Sequence, residues 1–346
     1  MKILHIIFSM HTGGTETMLV DIVNEQAQHA DVTLVIVNKE IYEPIVAKIS
    51  SEVKVIRLNR LSGSRSVFPL IKLNYLIWKY KFEVLHCHTY TLSSILLPVF
   101  WSKSKLTLHN TGIESKNLSR YEKLFAISDA VALDLKLRTG LNSKVVANGV
   151  DFSSIEAKTA DTMQRVTDDY RIVQVGRLDA DKKGQHILIE ALHLLHEQGI
   201  ENIKVDFIGE GDSFLFLKNL VQQYSLQHQV RFLGLKDRSY IYTHLKDYDL
   251  LVQPSFYEGF GLTVAEGMAA KIPVLVSDIE GPMEVIGKGK YGRYFACGDA
   301  KDLAGKILET IHAQNVKEEV EKAYSYAVNK FSIKNTAHQY IKNYNS

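Results

Sequence analysis

Short apolar segments alternate with longer amphipathic stretches of helical spacing along nearly the whole chain. In the first half the apolar segments are residues 2–8, 32–37, 53–57, 84–88, 105–109, 123–127 and 143–146. Continuous apolar runs of this length suit strands buried on both faces, and strands separated by helices pair in parallel through crossovers. The alternation predicts an α/β chain with doubly wound parallel sheets, helices on both faces.

The pattern pauses over a polar stretch containing Ser153, Ser154, Lys158, Asp161, Thr162 and Asp168. It restarts at residues 170–175 and continues at 204–208, 230–233, 249–253, 273–276 and 291–295. With 346 residues the chain is long enough for about two domains. The pause places a first Rossmann-like domain at 1–150, a linker at 151–168 and a second at 169–332. Residues 316–344 read as helix with a break near Phe331 and Ser332. The last part, about residues 333–346, is a candidate to pack back on the first domain.

Composition excludes several classes. There are 41 basic and 39 acidic side chains, a net charge of +2, and no recognition motif appears, so nucleic acid is not an expected partner. Cys87 and Cys297 are too few for a disulfide framework or a cysteine zinc site, and reduced thiols in a cytoplasmic protein fit them better. The amino-terminal apolar run is short, contains His5 and lacks a cleavage site, so it reads as a first strand rather than a leader. No stretch reaches the ~18 apolar residues that span a bilayer.

Doubly wound sheets bind ligands beyond the carboxyl ends of their strands. Two such domains facing each other would hold a nucleotide-type ligand in the cleft between them. After the first strand comes His11-Thr12-Gly13-Gly14-Thr15-Glu16, where paired glycines open the backbone and a helix start offers N–H groups to an anion. The same loop also fits a plain tight turn. After the strand at 170–175 comes Gly176-Arg177-Leu178-Asp179-Ala180-Asp181-Lys182-Lys183-Gly184. An arginine fork and a lysine point charge in one loop suit a diphosphate, and equally an ordinary solvated loop. Gly209-Glu210-Gly211 begins like a dinucleotide fingerprint, but Phe214 stands where the third glycine belongs, so a plain turn is favoured.

The most informative stretch runs from Pro254 to Ala270. It places Glu258 on a loop after a strand and Glu266 in the following helix, residues 262–270. Carboxylates accept hydroxyl hydrogen bonds and suit a sugar or ribose; paired, they also suit glycosidase acid–base chemistry. The N–H groups of Gly259, Phe260 and Gly261 at the helix start suit phosphate.

These two glutamates, with seven residues between them, resemble the hallmark of the retaining glycosyltransferases of family 4. Further pieces fall in that family's order: Glu83-Val84-Leu85-His86-Cys87-His88, Leu108-His109-Asn110, Ile127-Ser128-Asp129, Asn148-Gly149-Val150-Asp151, the Arg177 loop, Phe232 to Gly234, and Gly281-Pro282-Met283-Glu284. The resemblance covers about residues 10–295. It implies the GT-B architecture, two Rossmann-like domains around a cleft, with no metal or other cofactor. It implies a nucleoside-diphosphate sugar donor, UDP- or GDP-linked, bound by the second domain, and a hydroxyl acceptor met by the first. Carried over residue by residue, Arg177 and Lys183 hold the diphosphate and Glu266 the ribose. Glu258 and the following amides, through Leu262, approach the donor sugar. Gly13 and Gly14 lie near phosphate and acceptor, His109 near the transferred sugar, and Leu235 near the base. Two departures stand out: a second lysine, Lys182, precedes Lys183, and Gly267 rather than alanine follows Glu266.

Rival classes share parts of this pattern. A nicotinamide dehydrogenase shares the fold but needs the missing G-x-G-x-x-G. A GT-B sugar-nucleotide epimerase or phosphorylase, or a non-catalytic nucleotide-sugar-binding subunit, remains open. Residues 53–113 carry nine basic residues against one acid, Glu83. Within them a helix is expected at 69–82, with Phe68, Tyr75, Trp78 and Phe82 among Lys72, Lys79 and Lys81. This suits either an ordinary solvated helix or a surface held at the anionic inner face of the cell membrane. The second alternative would go with a glycan or lipid-linked glycan acceptor in surface polysaccharide synthesis.

Overall fold

The computed structural model describes residues 1–11, 13–112, 116–159 and 169–344. They form two compact units: Met1–Asp151 with Phe331–Ser346, and Phe152–Lys330.

The first unit is built on a seven-stranded sheet of β1 (Lys2–Ile7), β2 (Asp31–Asn38), β3 (Lys54–Arg60), β4 (Val84–Cys87), β5 (Ser104–Leu108), β6 (Lys123–Ala126) and β7 (Lys144–Val145). Their order is β3-β2-β1-β4-β5-β6-β7, with parallel pairing. The second unit carries a six-stranded sheet of β8 (Tyr170–Val175), β9 (Ile203–Ile208), β10 (Val230–Phe232), β11 (Leu250–Gln253), β12 (Val274–Ser277) and β13 (Arg293–Phe295). Its order is β10-β9-β8-β11-β12-β13, again parallel. In both sheets the order reverses at the middle, between β1 and β4 and between β8 and β11. Such switch points open a crevice at the carboxyl edge of the sheet.

The strands form where the apolar runs predict them because both faces are covered. β2 buries every residue but Asp31, and β4, β5, β11 and β12 are buried throughout. β3 runs three residues beyond its expected end. A register shift near Asn59, whose φ is 54°, brings Arg60 opposite Asn38.

Residues 160–168 of the expected linker lie outside the described residues. Residues 152–159 are packed on the second unit rather than loose. Lys158 N–H donates to the Ala270 carbonyl (2.9 Å), and its Nζ reaches Tyr248 O (2.9 Å) and Asp249 Oδ1 (3.1 Å). The carboxyl-terminal helices Val316–Phe331 and Ile333–Tyr344 break at Ser332. There Val150 N–H bonds Phe331 O and Ile333 N–H bonds Val150 O, which carries the chain back to the first unit. A Cβ at Gly149 would stand 2.7 Å from Ile333 Cα, so only glycine admits this approach. The helix Ile333–Tyr344 then packs on the helix Gly14–Ala27 and buries Tyr340 and Tyr344 among Ile3, Val84 and Phe125. Among the described residues no helix is long and apolar enough to cross a membrane.

Candidate active site

In the second unit, the crevice between β8 and β11 gathers four of the expected residues. Beyond β8 the Asp179 carboxylate caps a short helix, Ala180–Lys183, by accepting the Lys182 N–H at 3.3 Å. That helix ends at Gly184, whose φ is 64° and whose Cβ, were there one, would lie 1.9 Å from Pro254 O. No side chain fits there, so the β8 and β11 loops lie backbone against backbone. Lys182 O then accepts N–H bonds from Phe256 (2.9 Å) and Tyr257 (3.2 Å).

This clamp sets the two lysines apart. The Lys183 ammonium pairs with the Glu258 carboxylate, and both side chains are mostly buried. Glu258 Oε2 also takes the Gln253 amide at 2.9 Å, and Thr263 Oγ1 holds Gln253 Oε1 at 2.5 Å. Lys182 instead projects its side chain, 67% exposed, and among the described residues its ammonium pairs with Asp179 at 3.8 Å. Arg177 is exposed, and its guanidinium has no partner among the described residues. Its carbonyl is fixed by Gln185 Nε2 at 2.8 Å.

Glu266 sits on the helix Leu262–Ala269, which opens at Gly261 with φ 102°. Its Oε1 accepts the Tyr242 hydroxyl at 3.2 Å. The Phe260 ring is buried in the core. Gly267, the departure noted above, has a packing reason: a Cβ there would press on Val274 Cγ1 (3.0 Å) and Leu251 Cδ1 (3.1 Å). The turn Gly209-Glu210-Gly211 is more than a plain turn. Cβ atoms at Gly209 and Gly211 would stand 2.0 Å from Gly176 O and 2.4 Å from Leu178 O, so it presses on the Arg177 loop. The Glu210 carboxylate lies 3.4 Å from the N–H of Leu235, whose side chain is exposed.

Gly259 and Leu262 lie with these in the second unit, and Gly13, Gly14 and His109 lie in the first. Gly13 precedes the helix Gly14–Ala27 and accepts Thr17 N–H (3.1 Å) and Oγ1–H (2.9 Å) at its carbonyl. His109 directly follows β5, and its Nε2 is buried without a partner among the described residues. Burial pulls its pKa down to about 4, so the ring is neutral at pH 7. It stacks on His88 with ring centroids 5.8 Å apart.

Sequence reasoning missed Gln253, Gln185, Glu210 and Tyr242, which orient the expected residues and carry no local signal. It also gave His86 and His88 no role. The structure stacks His88 on both His5 and His86, and ring nitrogens of the three lie within 4.8 Å of one another, close enough for a metal ion. They are engaged otherwise: His5 bonds His88 and Gln26, and His86 bonds Tyr344 and Thr107.

Two parallel sheets, each reversing order at its middle, with a charged loop cluster at the switch point of the second, define a pair of Rossmann-like units. The model of the family glycosyl transferases group 1 matches residues 158–330, half of the chain, and the chain belongs to that family. An uncharacterized glycosyltransferase of Methanocaldococcus jannaschii is 30% identical over 237 residues, spanning 60% of this chain and 60% of that protein. A phosphatidyl-myo-inositol mannosyltransferase of Mycobacterium leprae is 26% identical over 279 residues, 76% of this chain and 73% of that one. Among solved structures, HepE of Anabaena in complex with UDP and glucose matches with a TM-score of 0.82 at 22% identity, covering 100% of both chains. That likeness shows the fold, and the fold class is GT-B.

Proposed function

We propose that this chain is a retaining, metal-independent glycosyltransferase. It moves a sugar from a nucleoside-diphosphate sugar to a hydroxyl of a glycan or lipid-linked glycan. The observation that carries the reading is the Lys183–Glu258 pair at the β8–β11 crevice, with Arg177, exposed and without a side-chain partner among the described residues, in the same loop as Lys183. Breaking a sugar–phosphate bond puts growing negative charge on the diphosphate and positive charge on the sugar. Arg177 and Lys183 supply fixed positive charge for the first, in place of a metal. Glu258 is the carboxylate for the sugar, and Glu266 with Tyr242 suits the ribose hydroxyls. The HepE complex contains UDP and glucose, which favours a UDP-linked donor here.

Calorimetry with UDP and GDP, and turnover with their sugars in EDTA, test this. Glu266→Gln is expected to weaken nucleoside diphosphate binding about tenfold, the ~1.4 kcal/mol of one good hydrogen bond. Glu258→Gln is expected to slow transfer while leaving that affinity nearly unchanged. Equal losses of affinity would overturn the division, and activity lost in EDTA would overturn metal independence.

The acceptor reading draws on the helix Phe68–Tyr80. It buries Leu73 and Ile77 and exposes Phe68 (73%), Ile71 (60%), Tyr75 (51%) and Trp78 (67%) along one face, with Lys72 and Lys79 exposed beside them. Phe82, grouped with these aromatics by sequence, is buried. Apolar rings flanked by lysines suit the surface of an anionic bilayer, and the mycobacterial relative is named for a lipid substrate. Flotation is expected to favour anionic over neutral vesicles and to weaken when Trp78 becomes Ser or Lys72 and Lys79 become Gln. No flotation at low salt would point to a soluble acceptor.

A further inference from the structure

The loop that carries Glu258 is tied across its base by one pair of side chains. Gln253 is the last residue of β11, and Thr263 is the second residue of the helix Leu262–Ala269. Thr263 Oγ1 meets Gln253 Oε1 at 2.5 Å, and the other end of that amide reaches Glu258 Oε2 at 2.9 Å. The direction of both bonds follows from the carboxylate. An ionised carboxylate only accepts, so Gln253 must turn its NH2 group to Glu258 and its carbonyl to Thr263, whose hydroxyl must then donate. Gln253 is 3% exposed, so packing holds the amide as well. The main chain of the loop is held separately. A Cβ at Gly281 would stand 2.3 Å from Glu258 O and 3.0 Å from Phe260 N, so the helix Glu280–Val285 presses directly on it.

Glu258 Oε2 thus has two donors of different kinds, the Gln253 amide and the Lys183 ammonium. The amide belongs to a buried strand. The ammonium ends a flexible four-carbon stem and keeps protons for a second partner. A diphosphate beside Lys183 competes with Glu258 for those protons. A carboxylate whose sole partner was the lysine would follow it or turn to solvent. With the amide on the same oxygen it stays in place. Its other oxygen, Oε1, makes no bond among the described residues.

We propose that Gln253 and Thr263 are positioning residues that hold Glu258 in place for a hydroxyl of the donor sugar while Lys183 turns to the diphosphate. This rests on the transferase reading above and adds to it two residues that act through Glu258. The competing account is a plain staple, in which the Gln253–Thr263 bond closes the loop and the contact with Glu258 does nothing further.

Two measurements on the full chain separate the hold from the staple. The first needs no turnover. In the 15N-labelled protein the Gln253 side-chain amide is expected to exchange slowly with solvent, and to exchange roughly tenfold faster in Glu258→Ala and in Thr263→Val. Unchanged exchange in Glu258→Ala would overturn the proposal. Saturation with UDP or GDP is expected to leave the protection intact. Its loss would mean that Glu258 leaves with Lys183, which also overturns the proposal. The second measurement is kinetic. Gln253→Leu is expected to lower kcat roughly 10–100-fold and Thr263→Val roughly three- to tenfold, with the affinity for the nucleoside diphosphate nearly unchanged in both. Thr263→Ser keeps the donating hydroxyl and is expected to retain turnover within about threefold. In a Glu258→Ala background there is no carboxylate to hold, so Gln253→Leu is expected to cost less than about threefold there. The same loss with and without Glu258, or equal losses in the serine and valine variants, would leave only the staple. If Gln253→Leu does not fold, Thr263→Val and the amide exchange carry the test. If the unaltered chain transfers no sugar, the transferase reading fails, while the amide exchange still decides whether Gln253 holds Glu258.

Discussion

The two units place their polar groups at corresponding edges of similar sheets by opposite means. In the second unit the crevice between β8 and β11 is charged and held by backbone. Gly184, Gly209 and Gly211 let three loops touch, and Lys182 O ties the β11 loop down. In the first unit the edge near β4 and β5 is neutral and held by side chains, through imidazoles, an amide and tyrosine hydroxyls drawn from distant segments. A site for anions needs fixed charge in a partly open loop, where solvent still limits the desolvation penalty. A neutral edge can be buried more deeply, because uncharged rings, amides and hydroxyls cost less to remove from water when they bond one another.

If backbone contact holds the second crevice, Gly184→Ala is the most damaging small change. It forces an L residue to φ 64° and drives a methyl into Pro254 O. The expected loss is on the order of 4 kcal/mol, read by urea denaturation. A loss under about 1 kcal/mol would mean that the loops are not clamped there. Next in size, Lys183→Ala and Arg177→Ala should each reduce transfer roughly 10²–10³-fold with the fold intact. Near-normal turnover in both would remove charge as the working principle of this unit.

The histidine-lined unit should be the acid-sensitive one. Burial lowers the pKa of His5 and His109 to about 4 and holds His86 and His88 well below the ordinary 6.5. Below pH 6.5 the unfolded chain takes up protons that these folded rings refuse. Stability is therefore full above about pH 6.5 and falls as pH drops toward 4, by about 1.4 kcal/mol per pH unit for each buried ring. Hydrogen exchange on acidification should show β1, β4 and β5 losing protection before β8 and β11; the reverse order would break the contrast. The smallest effect belongs to Lys182→Ala. Its pair with Asp179 is long and open to solvent, so stability should change by less than about 1 kcal/mol and turnover by less than threefold. Loss of activity in this variant alone would exchange the roles of the two lysines.

The family could be read before the fold because its signals are local. Glu258 and Glu266 are eight positions apart on one strand–loop–helix unit, and the apolar runs mark each strand within a few residues. The linker was less legible: its polarity suggested a tether, but Lys158 pairs with Asp249, a partner 91 residues away.

The sequence alone determined two parallel sheets and the loops at their carboxyl edge that carry Arg177, Lys183, Glu258 and Glu266. Those features follow from periodicities of a few residues and from the chemistry of neighbouring side chains. Only the tertiary structure decided that Lys183, not Lys182, meets Glu258, because that depends on Gly184 lying against Pro254, seventy positions along the chain. The tertiary structure also joined His5, His86 and His88 into one hydrogen-bonded network with Gln26 and Tyr344. Gln26 and Tyr344, which bond each other there, are 318 residues apart in sequence. Hydrogen-bond direction is a property of the whole network, and no window of sequence contains it.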